Sequence, residues 1–235
     1  MSEFEQTVSY GQRLITFQLS RRARKTVRVQ VHPDGAVRVI APLDYPADEV
    51  SKVVRRKAAW IVKQLRFFEQ FRPLTPPRQY RSGETHRYLG RQYRLKLTVG
   101  DKRIRLMAGF IEISEPDLDQ EGIRNSLDTW YRQKATIYFQ RMLTASLARF
   151  ESYGLAIPQL KLRHMPTRWG SCTPSGVIYL NPDLIRAPGS CIEYVVIHEI
   201  CHLINRNHDQ TFYQLLERIL PDWQKRKQTL ERIMA

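Results

Sequence analysis

The sequence predicts an α+β fold, in which a β-rich, basic N-terminal region precedes a region built on one buried helix and a small sheet. Three observations predict it: positive charge is concentrated early, alternating segments punctuated by turns fill the first half, and one apolar helical segment near the C-terminus carries two histidines and a glutamate. The chain has 235 residues, 42% hydrophobic and 10% aromatic, enough to build a core and too apolar for general disorder. Lys and Arg number 38 against 23 Asp and Glu, a net charge of +15. Residues 1–110 hold 23 basic and 9 acidic side chains, whereas residues 111–235 hold 15 and 14. That asymmetry suggests two regions, 1–110 and 111–235, and a polyanionic partner such as nucleic acid for the first. No apolar run approaches the roughly 18 residues of a membrane span. The first twenty residues lack a secretory pattern, and 3 cysteines suit a reducing compartment, so a cytoplasmic protein with no membrane partner is expected.

Val27, Val29 and Val31 alternate with polar residues, His32-Pro33-Asp34-Gly35 makes a turn, and Val37 and Val39 resume the alternation, predicting a half-buried hairpin. Pro42 and Pro46 bound a predicted helix running to about Arg72. Val50, Val53, Val54, Ala58, Ile61, Leu65 and Phe68 form its apolar side, with Lys52, Arg55, Arg56, Lys63 and Arg66 opposite. Such a basic stripe suits phosphate contacts and equally suits solvent. Arg72 to Pro77 reads as a stiff connector. Tyr93, Leu95, Leu97 and Val99 alternate as a strand, and Ile104 to Ile113 continues in strand fashion after the Gly100-Asp101 turn. A long helix is then predicted from about Asp117 to Tyr153, its apolar side including Leu127, Trp130, Tyr131, Met142 and Phe150.

The chemistry sits further on. Ser190 with Glu193 three residues later has the form of a capping box, which predicts a helix from Cys191 to about Ile204. Ile192, Val195, Val196, Ile197, Ile200 and Leu203 make that helix apolar almost all round, so His198, Glu199 and His202 need partners. His198 and His202 are four apart and share a face; Glu199 lies one step round, where it can deprotonate water. This is the H-E-x-x-H spacing of zinc hydrolases. A third ligand would leave a fourth position open. His208 is preferred, with Asn205 and Asn207 offering left-handed turn conformations to swing it back, and Glu217 is the rival. The spacing through His208 is that of metzincins with Asn for Gly, but the later methionine, Met234, is terminal, so no Met-turn follows.

Arg168-Trp169-Gly170-Ser171-Cys172, the Gly176–Asn181 segment, Tyr194 to Glu199 and Asn207-His208 together resemble the YgjP-like zinc metallopeptidases, relatives of SprT-like proteins. The Ser20–Arg24 segment, the Asp34-Gly35 turn and Trp60-Ile61 are similar to that family's N-terminal region. The resemblance implies a zincin-like (gluzincin-like) minimal metalloprotease core, Zn2+ on His198, His202 and His208, Glu199 as general base, and a protein or peptide substrate. In such proteases a strand beside the metal pairs with extended substrate, and Val177–Leu180 is the candidate. Arg168, Tyr179 and Tyr213 are candidates for stabilising the oxyanion and binding substrate. The rival expectation is a nucleic-acid-binding protein whose metal site is secondary or structural; SprT-like relatives, acting on proteins attached to DNA, join the two.

Overall fold

The valine alternation does form a hairpin. β3 (Arg28–Val31) pairs antiparallel with β4 (Val37–Ala41). The turn is closed by the Gly35 N–H donating to the His32 carbonyl at 2.9 Å. Gly35 takes a φ of 86°, which a side chain would resist. In the computed structural model, which describes residues 4–32, 34–69 and 78–234, the chain divides into two units, Met1–Pro77 and Arg78–Met234. Pro33 of that turn, the Phe68 side chain and the Arg72–Pro77 connector lie outside the described residues.

In the first unit an unanticipated hairpin, β1 (Phe4–Tyr10) and β2 (Arg13–Arg21), precedes β3. The sheet order is β1-β2-β4-β3, with β2 and β4 parallel. Ile15, Phe17 and Leu19 of β2 alternate inward with Val37, Val39 and Ala41 of β4. Val50, Val54, Ala58 and Ile61 cover them from the helical layer. That layer is two helices, α1 (Ala47–Arg56) and α2 (Ala58–Glu69), rather than one, the ladder breaking at Lys57. The Arg21 guanidinium donates to the carbonyls of Pro42, Leu43 and Tyr45, at 3.3, 3.0 and 2.6 Å, and so pins the loop leading into α1.

The second unit opens with a four-stranded sheet, β5 (Thr85–Tyr88), β6 (Arg91–Val99), β7 (Arg103–Met107) and β8 (Phe110–Glu115), ordered β5-β6-β8-β7. The apparent single run from Ile104 to Ile113 is thus a hairpin, turning at Ala108-Gly109, where both residues have positive φ. Residue 110, where the charge changes, is the first of β8 and lies inside this sheet. Residues 1–77 carry 14 basic and 7 acidic side chains, and residues 78–235 carry 24 and 16, so the excess is +7 and +8. Charge and packing therefore partition the chain differently.

α3 (Gln120–Leu147) starts where the Asp119 carboxylate accepts the Gly122 N–H at 2.7 Å, and it continues as a 3-10 turn over Ala148–Tyr153. Its inner side, from Ile123 through Phe139 to Leu143, shares a core with Leu95, Ile111 and Ile113 of the sheet and with Ile192, Val196 and Ile200 of α4 (Gly189–Cys201). The capping box is not made. α4 begins after Pro188 with no side-chain cap, and Glu193 instead bridges Arg149, at 2.6 Å, and Arg226. Two guanidinium groups outcompete one backbone N–H for that carboxylate. The small sheet is β9 (Gln159–Leu162), β10 (Gly170–Cys172) and β11 (Val177–Leu180), followed after α4 by α5 (Gln210–Ile219) and α6 (Trp223–Met234). Its order is β10-β11-β9, so β11 is the central strand, paired on both sides, and β10 is an edge. Val177–Leu180, the strand expected to pair with extended substrate, has both edges taken by β9 and β10, so that expectation is corrected.

Candidate active site

α4 is buried on nearly every side, and its polar residues sit at its C-terminal end. His198 and His202 project from one face as their spacing requires, with ring centroids 4.9 Å apart. The chain then turns back through hydrogen bonds from Leu203, Ile204 and Asn205 to carbonyls at the end of α4. Neither Asn205 nor Asn207 is among the residues with positive φ. The turn needs no left-handed asparagine, because the helix simply tightens and unwinds. Asp209 then caps α5, its carboxylate accepting the Phe212 N–H at 3.1 Å and the Thr211 hydroxyl at 2.6 Å. That cap fixes the residue before it, His208, beside the other two histidines.

One ligand nitrogen from each of His198, His202 and His208 falls within 4.8 Å of the others. The Nε2 atoms of His198 and His208 are 3.0 Å apart. Nitrogens on a tetrahedral zinc are about 3.3 Å apart, given bonds of about 2.0–2.1 Å. The three residues therefore fit a metal ion. Their protonation fits as well: burial pushes His198 down to about 3 and lowers His202, so both imidazoles are neutral with lone pairs free at neutral pH. His202 Nδ1 lies 3.1 Å from the Asn205 carbonyl. A carbonyl only accepts, so Nδ1 carries the proton and donates it, and Nε2 keeps the lone pair that a metal ion would take. Beneath the cluster the buried Phe212 ring sits 5.0, 4.6 and 4.8 Å from the three imidazoles, excluding water from that side.

Glu199 is 4% exposed, yet opens onto the same cavity, of about 500 Å³, as the three histidines. Burial pushes its carboxyl up to about 8, opposed by Arg168 and by a hydrogen bond from the Cys172 backbone. Its Oε2 has no hydrogen-bond partner among the described residues. The carboxylate lies directly against Gly170 of β10: a Cβ there would stand 2.8 Å from both Cγ and Cδ of Glu199. Only glycine leaves the carboxylate room. Sequence reasoning placed Gly170 in a motif without this role, and it passed over Asp209, Phe212 and Arg206. The first had a legible signal, an Asp immediately before an apolar helical run.

The remaining expected residues are dispersed. Arg168 lines the cavity, as do Cys172 and Arg206. Tyr179, on the central strand, lies under the Arg163 guanidinium at 4.2 Å and does not line the cavity. Tyr213 has its ring 6.2 Å from that of His208, is stacked on Trp223 at 5.6 Å, and lines a separate groove. Glu217 also lines that groove, its carboxylate accepting the Trp223 indole N–H at 2.5 Å. A side cavity of about 280 Å³ shares Arg168, Gly170, His198 and Glu199 with the main one and runs towards Tyr194, Trp169 and Leu230.

A mixed α+β unit that converges three imidazoles on one point, with a buried carboxylate beside them, has the form of a metal-binding site of hydrolase type. Residues 25–233 match the family described as YgjP-like, metallopeptidase domain, and the chain belongs to that family. It is thus a metallopeptidase, whose substrates are proteins or peptides and whose family implies a metal ion. Among solved structures it is similar to the metallopeptidase zymogen of Pyrococcus abyssi abylysin, at 20% identity and a TM-score of 0.36, over 41% of this chain and 91% of that one. No curated protein matches it. Among the described residues no helix is long and apolar enough to cross a membrane.

Proposed function

We propose that the chain is a zinc-dependent peptidase of zincin-like architecture, with His198, His202 and His208 as ligands and Glu199 as general base. The observation that carries this reading is the convergence of the three histidine nitrogens within 4.8 Å in the cavity where the unpartnered Glu199 oxygen is also found. Three imidazoles without a thiolate or carboxylate suit zinc. Zinc, when bound, would supply Lewis acidity that polarises a carbonyl and acidifies water.

The chain's own residues do the rest. Glu199 takes a proton from the attacking water and delivers it to the leaving amine, a role that needs its carboxylate ionised, as the positive charge of a bound ion would favour. Arg168 and Arg206 bring positive charge to the cavity wall, where negative charge develops on the carbonyl oxygen. Tyr179 and Tyr213 are the weaker candidates for that role, given where their rings lie. The edge strand β10, rather than β11, offers main-chain groups to an extended substrate. The side cavity has room for a substrate side chain next to the scissile bond. The basic excess in both units supports association with nucleic acid, and hence substrates that are themselves nucleic-acid-bound, as for SprT-like proteins. The three free cysteines fit a cytoplasmic setting. A purified chain should hold about one zinc, measured by elemental analysis, and His198→Ala should lose most of it. Zinc content unchanged by that substitution would refute the ligand set.

A further inference from the structure

The first unit carries a feature that the peptidase reading leaves unused. Residues 50–68 hold six cations, Lys52, Arg55, Arg56, Lys57, Lys63 and Arg66, and no acid. All six are exposed, on α1, on α2, and on the residue joining them. Lys52 pairs with Glu49 at 2.7 Å. Among the described residues, Arg55, Arg56, Lys63 and Arg66 have no anionic partner. In their midst Trp60 is 43% exposed and stands outside the unit's apolar core, with Lys57 Nζ 5.9 Å over its ring. Lys63 lies three after Trp60 on α2, a position that neighbours it on a helical surface, and Lys57 stands at the joint just before α2.

A merely solvated face explains this poorly. Cations suit the last turn of a helix, which accounts for Arg55, Arg56 and Arg66, but Lys63, in the middle of α2 and three residues from the exposed Trp60, is not accounted for in that way. An exposed indole likewise gains nothing from burial. The opposite side of the same helices is already spent, because Val50, Val54, Ala58 and Ile61 are fully buried. Among the described residues no apolar stripe is left on these helices to enter a bilayer, so a membrane surface is a poor occupant. What remains is an aromatic ring with its surroundings charged for phosphate. Single-stranded nucleic acid offers both an unpaired base to stack and a backbone to neutralise, whereas duplex bases are already stacked on one another.

We infer that the Trp60-centred face of α1 and α2 binds single-stranded nucleic acid, the cations on phosphates and the indole on a base. This deepens the proposed nucleic-acid association and makes no use of the metal site. The test is fluorescence anisotropy of labelled oligo-dT, oligo-U and a DNA duplex of equal length, titrated with the full chain across a salt series. Single strands should bind more tightly than duplex. Trp60→Ala should weaken binding about ten-fold at every salt concentration, with Trp60→Phe restoring part of the loss. Arg56→Glu with Lys63→Glu should lower the salt slope by about one unit or more. Glu199→Gln should bind as the wild type does, which separates failure of this inference from failure of the peptidase reading. It is overturned if no single strand binds at low salt, if duplex or anionic vesicles bind as tightly, or if the folded Trp60 variants are indifferent.

Discussion

At the scale of single residues, the site depends on close approach. Gly170 leaves space that the Glu199 side chain occupies, and any Cβ would push Cγ and Cδ away from their positions at 2.8 Å. Gly170→Ala should therefore retain zinc yet lose hydrolysis by about a hundred-fold, since misplacing a reacting group by about 1 Å has that effect. Steady-state rates on an unstructured protein, with zinc content measured on the same samples, check this; full activity would contradict it. His198, His202 and Glu199 were legible because a four-residue spacing on a buried helix leaves polar groups that need a purpose. Gly170 was not, because its role lies in a neighbour twenty-nine residues away in the chain. Tyr179 was misleading for the same reason: nothing in sequence tells a central strand's tyrosine, stacked under Arg163, from one facing a cleft.

Among the elements, α4 matters most, and it is held from outside. Glu193, near its start, is gripped by Arg149 and Arg226, from the 3-10 turn after α3 and from α6. Glu193→Gln should cost about 1–3 kcal/mol, as hydrogen bonds to charged groups typically do, and lower the thermal midpoint without removing zinc. An unchanged midpoint would show the clamp to be idle. The sequence rule that Ser190 and Glu193 form a capping box misled because both partners of Glu193 are remote in the chain. Alternation found β3, β4 and β6 readily. It missed β1, β2 and β5 and merged β7 with β8, whose turn at Ala108-Gly109 puts an alanine at a φ of 40°, a position where alanine gives no warning.

Across the whole molecule, charge and stability follow different maps. Residues 1–110 carry +14 of the net +15, yet the two packed units share it as +7 and +8, so positive charge marks surfaces in both. Stability has its own dependence on pH through the buried His86. Burial, with Arg78 nearby, pushes that imidazole down to about 4 from an ordinary 6.5. The unfolded chain then takes up a proton below pH 6.5 that the folded chain refuses until about pH 4. Its contribution is complete above pH 6.5 and is lost as pH falls to about 4. Urea midpoints should show the gap between wild type and His86→Gln narrowing over that interval, and a constant gap would contradict the assignment. The central claim is that Glu199 acts on protons in a site where the three histidines hold zinc. Its most direct test is Glu199→Gln, with zinc content and hydrolysis of an unstructured protein measured on one preparation. The variant should keep its zinc and lose at least about a hundred-fold in rate; zinc retained with wild-type hydrolysis would contradict the account.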